Sequence, residues 1–158
     1  MKIISLILCI VAGQVAMAAE NPKGREEALL NKATDQCMVK LSNGQAKAGF
    51  SDLLNDYWYD KSDVTSVNES VQAQYQSVLS MARKKLGEPL PNGFEFLGVR
   101  RVGKSSVRFV YLQKFDNGSL PWAYMFYKPK ERWLLTGIFL GDAVADDLRT
   151  FTVVDPAN

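Results

Sequence analysis

The sequence predicts an α+β fold: N-terminal helices packed on a curved four-stranded antiparallel sheet. Three observations carry this. Apolar residues recur at helical spacing through the first half of the chain. From residue 94 onward the pattern changes to runs of β-branched and aromatic residues. Short turn sequences separate those runs, so neighbouring strands join as antiparallel hairpins.

The elements follow in order. Leu29, Leu30, Ala33, Cys37 and Leu41 form an apolar stripe, which predicts a helix over 23–42, stopped by Asn43-Gly44. Ala46, Phe50, Leu53, Leu54 and Tyr57 predict a shorter helix over 45–57. The third helix is predicted over 66–86. Ser66 and Glu69 have capping-box spacing, and Val67, Val71, Tyr75, Val78, Ala82 and Leu86 form its apolar face. Arg83-Lys84-Lys85 suit the negative end of its dipole, and Gly87 then Pro89 end it. Strands are predicted over 94–102, 107–115, 121–127 and 132–140, with a short closing helix over 142–149.

Alternation along the strands leaves both sheet faces apolar. Trp122, Tyr124 and Phe126 oppose Ala123, Met125 and Tyr127; Trp133, Leu135 and Phe139 oppose Leu134, Ile138 and Leu140. Helices can cover one face. The other needs a second cover, and another copy of the chain is the simplest. A strongly curved sheet with deep rims is the alternative.

The first residues read as an address. Lys2, the apolar run Ile3–Val11 and Ala16-Met17-Ala18 make a secretory signal peptide over 1–18, with one domain over 19–158. Gly13 and Gln14 interrupt the run, which falls short of the roughly 20 residues a membrane span needs, so no transmembrane anchor is expected. The expected location is the periplasm or the exterior.

The chain has 158 residues, 19 Lys+Arg, 17 Asp+Glu, two Cys and no histidine. Cleavage would remove Lys2 and Cys9, leaving 140 residues at a net charge of +1 with Cys37 as the lone cysteine. A core must then hold the fold without an internal disulfide. Cys37 reads as a small buried hydrophobe, an interchain pairing site or a reactive thiol; no histidine is available to activate it.

The missing histidine excludes Ser-His-Asp and Cys-His nucleophile systems and imidazole metal sites. No structural metal and no cofactor is expected; Asp142, Asp146 and Asp147 lack the spacing of a calcium loop. The basic groups Arg83-Lys84-Lys85, Arg100-Arg101 and Lys128/Lys130/Arg132 read as solvated turns and helix ends, so no nucleic-acid partner is expected. The remaining catalytic option is a carboxylate in an apolar pocket with a tyrosine donor. Glu95 and Asp56 are the acids, Tyr111 and Tyr124 the donors, though both acids also read as surface residues. The aromatic set Tyr57, Trp58, Tyr75, Tyr111, Trp122, Tyr124 and Trp133 reads as pocket, interface or plain core.

Three pieces stand out together: Asn43-Gly44-Gln45-Ala46 opening a helix to Leu53-Leu54, the strand pair Arg108–Leu112 and Tyr124–Tyr127, and the hairpin Tyr127–Phe139. With these, the layout resembles the NTF2-like (ketosteroid-isomerase-like, cystatin-like) superfamily in its small secreted bacterial form. It covers about 25–148 and encodes architecture. The resemblance implies a cone, and a family holding isomerases, dehydratases, ligand binders and non-catalytic adaptors; fold does not choose among them. The expected function is an exported non-catalytic interaction domain, acting as a homodimer through one sheet face or on an envelope protein. An envelope inhibitor or immunity protein is one version. A binder of a small apolar ligand is the alternative, followed by an isomerase-like or dehydratase-like enzyme.

Overall fold

The computed structural model describes residues 22–144. The segment predicted as a signal peptide, Asp146, Asp147 and the end of the predicted closing helix lie outside the described residues. Three helices, α1 (Pro22–Ser42), α2 (Ala46–Tyr57) and α3 (Val64–Leu86), precede four strands. These are β1 (Pro89–Val102), β2 (Ser106–Phe115), β3 (Gly118–Tyr127) and β4 (Leu134–Leu140). The strands form one antiparallel sheet in the order β1-β2-β3-β4, not closed into a barrel. The class is therefore α+β, as the change of period predicts. Among the described residues no helix is long and apolar enough to cross a membrane.

The helices cover one sheet face. Leu30, Met38, Leu41, Phe50, Leu54 and Tyr75 pack on Phe109, Tyr111, Trp122, Tyr124, Phe126 and Leu135. On α1 the buried stripe runs through Leu30, Thr34, Cys37, Met38 and Leu41, while Leu29 is 56% exposed. The helix is rotated so that Thr34 turns inward and Leu29 outward, against the predicted stripe. On α3 Leu79 joins Tyr75 and Ala82 as fully buried.

Ser66 is not the cap of α3. The helix starts one turn earlier behind Asp63, and the Ser66 hydroxyl donates to the Asp63 carbonyl at 2.9 Å. Asp63 in turn accepts from the Trp58 indole at 2.8 Å, so its side chain serves the α2–α3 junction. The far end of α3 is latched to the β2–β3 turn. Gly87 adopts φ +85, and a Cβ there would meet the Asp116 side chain at 2.8 Å. Asp116 accepts the Glu88 N–H, and Asn117 N–H donates to the Leu86 carbonyl.

Two irregularities reset the strand faces. β1 is irregular between Phe96 and Gly98, and β4 between Leu135 and Gly137, where Thr136 is the additional residue. A bulge shifts the period-2 alternation by one. Leu135, Ile138 and Leu140 therefore all join the helix-side core, and Phe139 lies on the opposite face. This corrects the simple alternation that places Phe139 with Leu135. The outer face has a small core of its own: Val110 and Ala123 are buried beneath Val144, with Leu97 and Phe139 beside them. Val144 belongs to a short 3-10 turn at Gly141–Val144.

Candidate functional site

The seven aromatic candidates separate into two groups. Tyr75, Tyr111, Trp122 and Tyr124 lie in the helix–sheet interior with at most 2% exposure. Their rings touch one another: Trp122 stacks on Tyr124, Tyr75 tilts against Trp122 at 5.5 Å, and Tyr111 meets Tyr124 edge-on at 5.8 Å. Packing of this kind satisfies large rings without a ligand. Their polar atoms are also engaged. Trp122 Nε1 donates to Gln113 Oε1 at 3.2 Å, and Gln113 Nε2 donates to the Tyr75 hydroxyl at 3.4 Å. The Tyr124 hydroxyl contacts the sulfur of Met38 at 3.2 Å and that of Cys37 at 3.6 Å. Among the described residues no buried side-chain nitrogen or oxygen lacks a partner.

Burial sets the acid–base character of this interior. It pushes the Cys37 thiol up from its ordinary 9.0 to about 12, and holds Tyr75, Tyr111 and Tyr124 above the usual phenol range. Cys37 is thus a buried neutral thiol, not a nucleophile poised for reaction.

The other three aromatics line the rim. Trp133 Nε1 donates to Glu26 Oε2 at 3.0 Å, and Lys128 binds the same carboxylate and sits 5.8 Å from the Trp133 ring centre. Those two donors hold the Glu26 carboxyl below its ordinary range. Tyr57 meets Phe126 edge-on. Between them and the exposed Leu29 opens a cleft of about 330 Å³, which Asp56 and Arg132 also border. The backbone of Trp58 pairs with Leu135 as an isolated parallel bridge.

The predicted acids stay at the surface. Glu95 lies on the outer sheet face and pairs with Lys114 at 2.9 Å; Asp56 is exposed at the end of α2. The structure instead brings Asp35 to a tyrosine: the Tyr111 hydroxyl lies 2.8 Å from Asp35 Oδ1, 3.0 Å from Asn31 Oδ1 and 2.6 Å from Thr34 Oγ1. This cluster was not predicted. A polar residue inside the apolar stripe of α1, Thr34, is the signal that marks it. The Tyr111 hydroxyl is enclosed by protein partners, so the arrangement is a tie between α1 and β2.

Several basic residues pair with acids. Arg101 reaches the almost buried Glu27 with two nitrogens, and Arg83 pairs with Glu88. Arg100 and Arg108 are cross-strand partners on the outer face, with Arg108 over the Phe139 ring at 5.1 Å. Among the described residues no group of three potential metal ligands occurs.

A further open feature among the described residues is the edge of β4. Trp58 covers it at Leu135. Beyond that point Thr136-Gly137-Ile138-Phe139-Leu140 carries no charge and no proline, and no backbone bond to another strand is seen there besides β3 among the described residues. Alongside runs a cleft of about 380 Å³ between Gln74, Ser77 and Val78 of α3 and Ile138 and Leu140 of β4. An uncharged edge strand offers a row of backbone donors and acceptors to another extended chain. No protein-family model, curated protein or solved structure matches this chain.

Proposed function

We propose that this chain is an exported, non-catalytic interaction domain of NTF2-like type that works through protein–protein contacts. The observation that supports it is the uncharged stretch Thr136–Leu140 at the β4 edge, beside the α3 cleft and not covered by another strand among the described residues. The packed aromatic interior agrees with such a role, because rings and polar atoms there are already partnered. The bound strand would extend the sheet by main-chain hydrogen bonds, with Ile138 and Leu140 meeting side chains on the helix side.

The test is affinity capture of the tagged protein from envelope extract, with native mass measurement, in wild type and in Thr136→Lys. Thr136 is exposed, so a lysine there charges the edge without entering the core. The expected result is a complex that wild type forms and the variant loses. Recovery of the monomer alone from wild type overturns the proposal.

A second reading has one observation in its favour: exposed Leu29 opens onto Tyr57 and Trp133 in a cleft within the size range of small-ligand sites. Quenching or shift of tryptophan fluorescence by a small apolar probe, lost in Leu29→Glu, is its signature. An unchanged spectrum counts against it.

A further inference from the structure

We infer that the strand completing the β4 edge is β4 of a second copy, giving a two-fold dimer with one continuous eight-stranded sheet. The inference rests on the interaction reading above and names its partner.

Three features of the chain point to a copy of itself. The first is the strand's own chemistry. A partner strand must be uncharged and apolar on both faces, since one face meets the α3 side and the other the Phe139 side. β4, with Leu135, Ile138 and Leu140 on one face and Phe139 on the other, has that composition. An antiparallel self-pair centred on Ile138 sets Thr136 opposite Leu140 and Gly137 opposite Phe139. Gly137 is overlain by Phe139 of its own chain, whose ring an added Cβ would meet at 2.6 Å, so the self-pair sets two rings of the same kind side by side over two glycines.

The second is the face of α3. Gln74, Ser77 and Val78 border the β4 cleft, and Met81, one turn beyond Ser77, is 55% exposed. A two-fold axis beside β4 brings the two α3 helices together on the same side of the sheet, antiparallel, where these residues face their copies.

The third is charge. The N-terminal half of α3 carries Asp63 and Glu69, and its last turn carries Arg83, Lys84 and Lys85. Asp63 already accepts from Trp58 and Arg83 pairs with Glu88 within the chain, so Glu69 at one end and Lys84 and Lys85 at the other carry the contrast. Antiparallel helices therefore set unlike ends against each other, whereas a parallel arrangement would oppose like charges.

The experiment is light scattering on purified protein expressed as the full chain, with no extract present, followed by hydrogen exchange. The expected mass is a dimer at micromolar concentration, with amides of Thr136–Leu140 protected. Thr136→Lys and, separately, Met81→Glu should weaken dimerisation by about tenfold or more and remove that protection. Met81 lies outside the core, so this variant keeps the monomer fold, which circular dichroism checks. A monomeric wild type overturns the inference; a partner then captured from extract leaves the interaction reading intact with a different occupant. A dimer that both variants leave unchanged also overturns it, because its interface lies elsewhere.

Discussion

The two edges of the sheet are treated in opposite ways. β1 is long, and it is guarded along its length. Pro89 and Pro91 remove backbone donors, irregular pairing interrupts it twice, and Glu95, Arg100 and Arg101 charge it. α1 packs against it, the Asn43 and Asn92 side chains hydrogen-bond at 2.7 Å, and Arg101 clasps Glu27 of α1. β4 is half as long and, among the described residues, has none of these devices beyond its bulge and the Trp58 bridge. Natural sheets blunt edges that must stay alone. The neutral, apolar β4 edge lacks that protection, which is why the proposed interaction is placed there.

The largest expected effect reaches both edges through the shared interior. Unfolded Cys37 loses its proton near 9.0 and folded Cys37 only near 12. The unfolded chain thus binds fewer protons across that window. Stability is intact below pH 9 and falls as pH rises toward 12, by on the order of 4 kcal/mol from this thiol alone. The raised tyrosines act in the same direction. A near-ultraviolet dichroism titration should show one cooperative loss, with β1 and β4 amides released together. Cys37→Ala should flatten the slope. If the two edges melt separately, the interior does not join them as described.

An intermediate effect opens the guarded end of β4. Trp58→Ala removes a half-buried ring, its bond to Asp63 and the packing that holds the bridge at Leu135. Urea unfolding should report a loss of about 2 kcal/mol. Exchange at Leu134 and Leu135 should accelerate, lengthening the open edge. No change there would mean that the bridge does not protect β4.

The smallest effect weakens the guard on β1. Glu27→Gln exchanges a two-pronged ion pair for at most one hydrogen bond, donated by the still-charged Arg101 to the amide oxygen. Because Arg101 is half exposed, the cost is about 1 kcal/mol or less, read by urea unfolding at low salt. Exchange should quicken at Val99–Val102 and stay unchanged along β4. Equal quickening at both edges would deny that each is secured locally.

Much of this fold is legible in the residues. The helix stripes, the glycine stops and the hairpin turns are local signals, and the elements they mark stand within a few residues of expectation, apart from β1, which starts at Pro89 rather than Phe94. The errors arise where a local pattern has two solutions. Thr34 lies roughly 140° around α1 from Leu29, and the Tyr111 hydroxyl that meets it favours the rotation that turns Thr34 inward and leaves Leu29 outside. Ser66 has the spacing of a cap, but Asp63 is positioned by Trp58 across the junction. Phe139 changes face because one additional residue in β4 shifts the alternation. The aromatic candidates were visible as a group. Their division into a packed interior and a rim cleft was not, because composition does not record which ring has a neighbour.

The sequence by itself determined the class: periodicity of 3.6 followed by periodicity of 2, with turns too short for crossovers, leaves helices on an antiparallel sheet. It also removed imidazole chemistry, since no residue can supply it. The tertiary structure alone decided which apolar surface remains open. Val144 returns over Val110 and Ala123, so part of the outer face is covered from within the chain. Whether a strand edge is open depends on what lies beside it in space, and those neighbours, Trp58 and α3, come from remote parts of the chain.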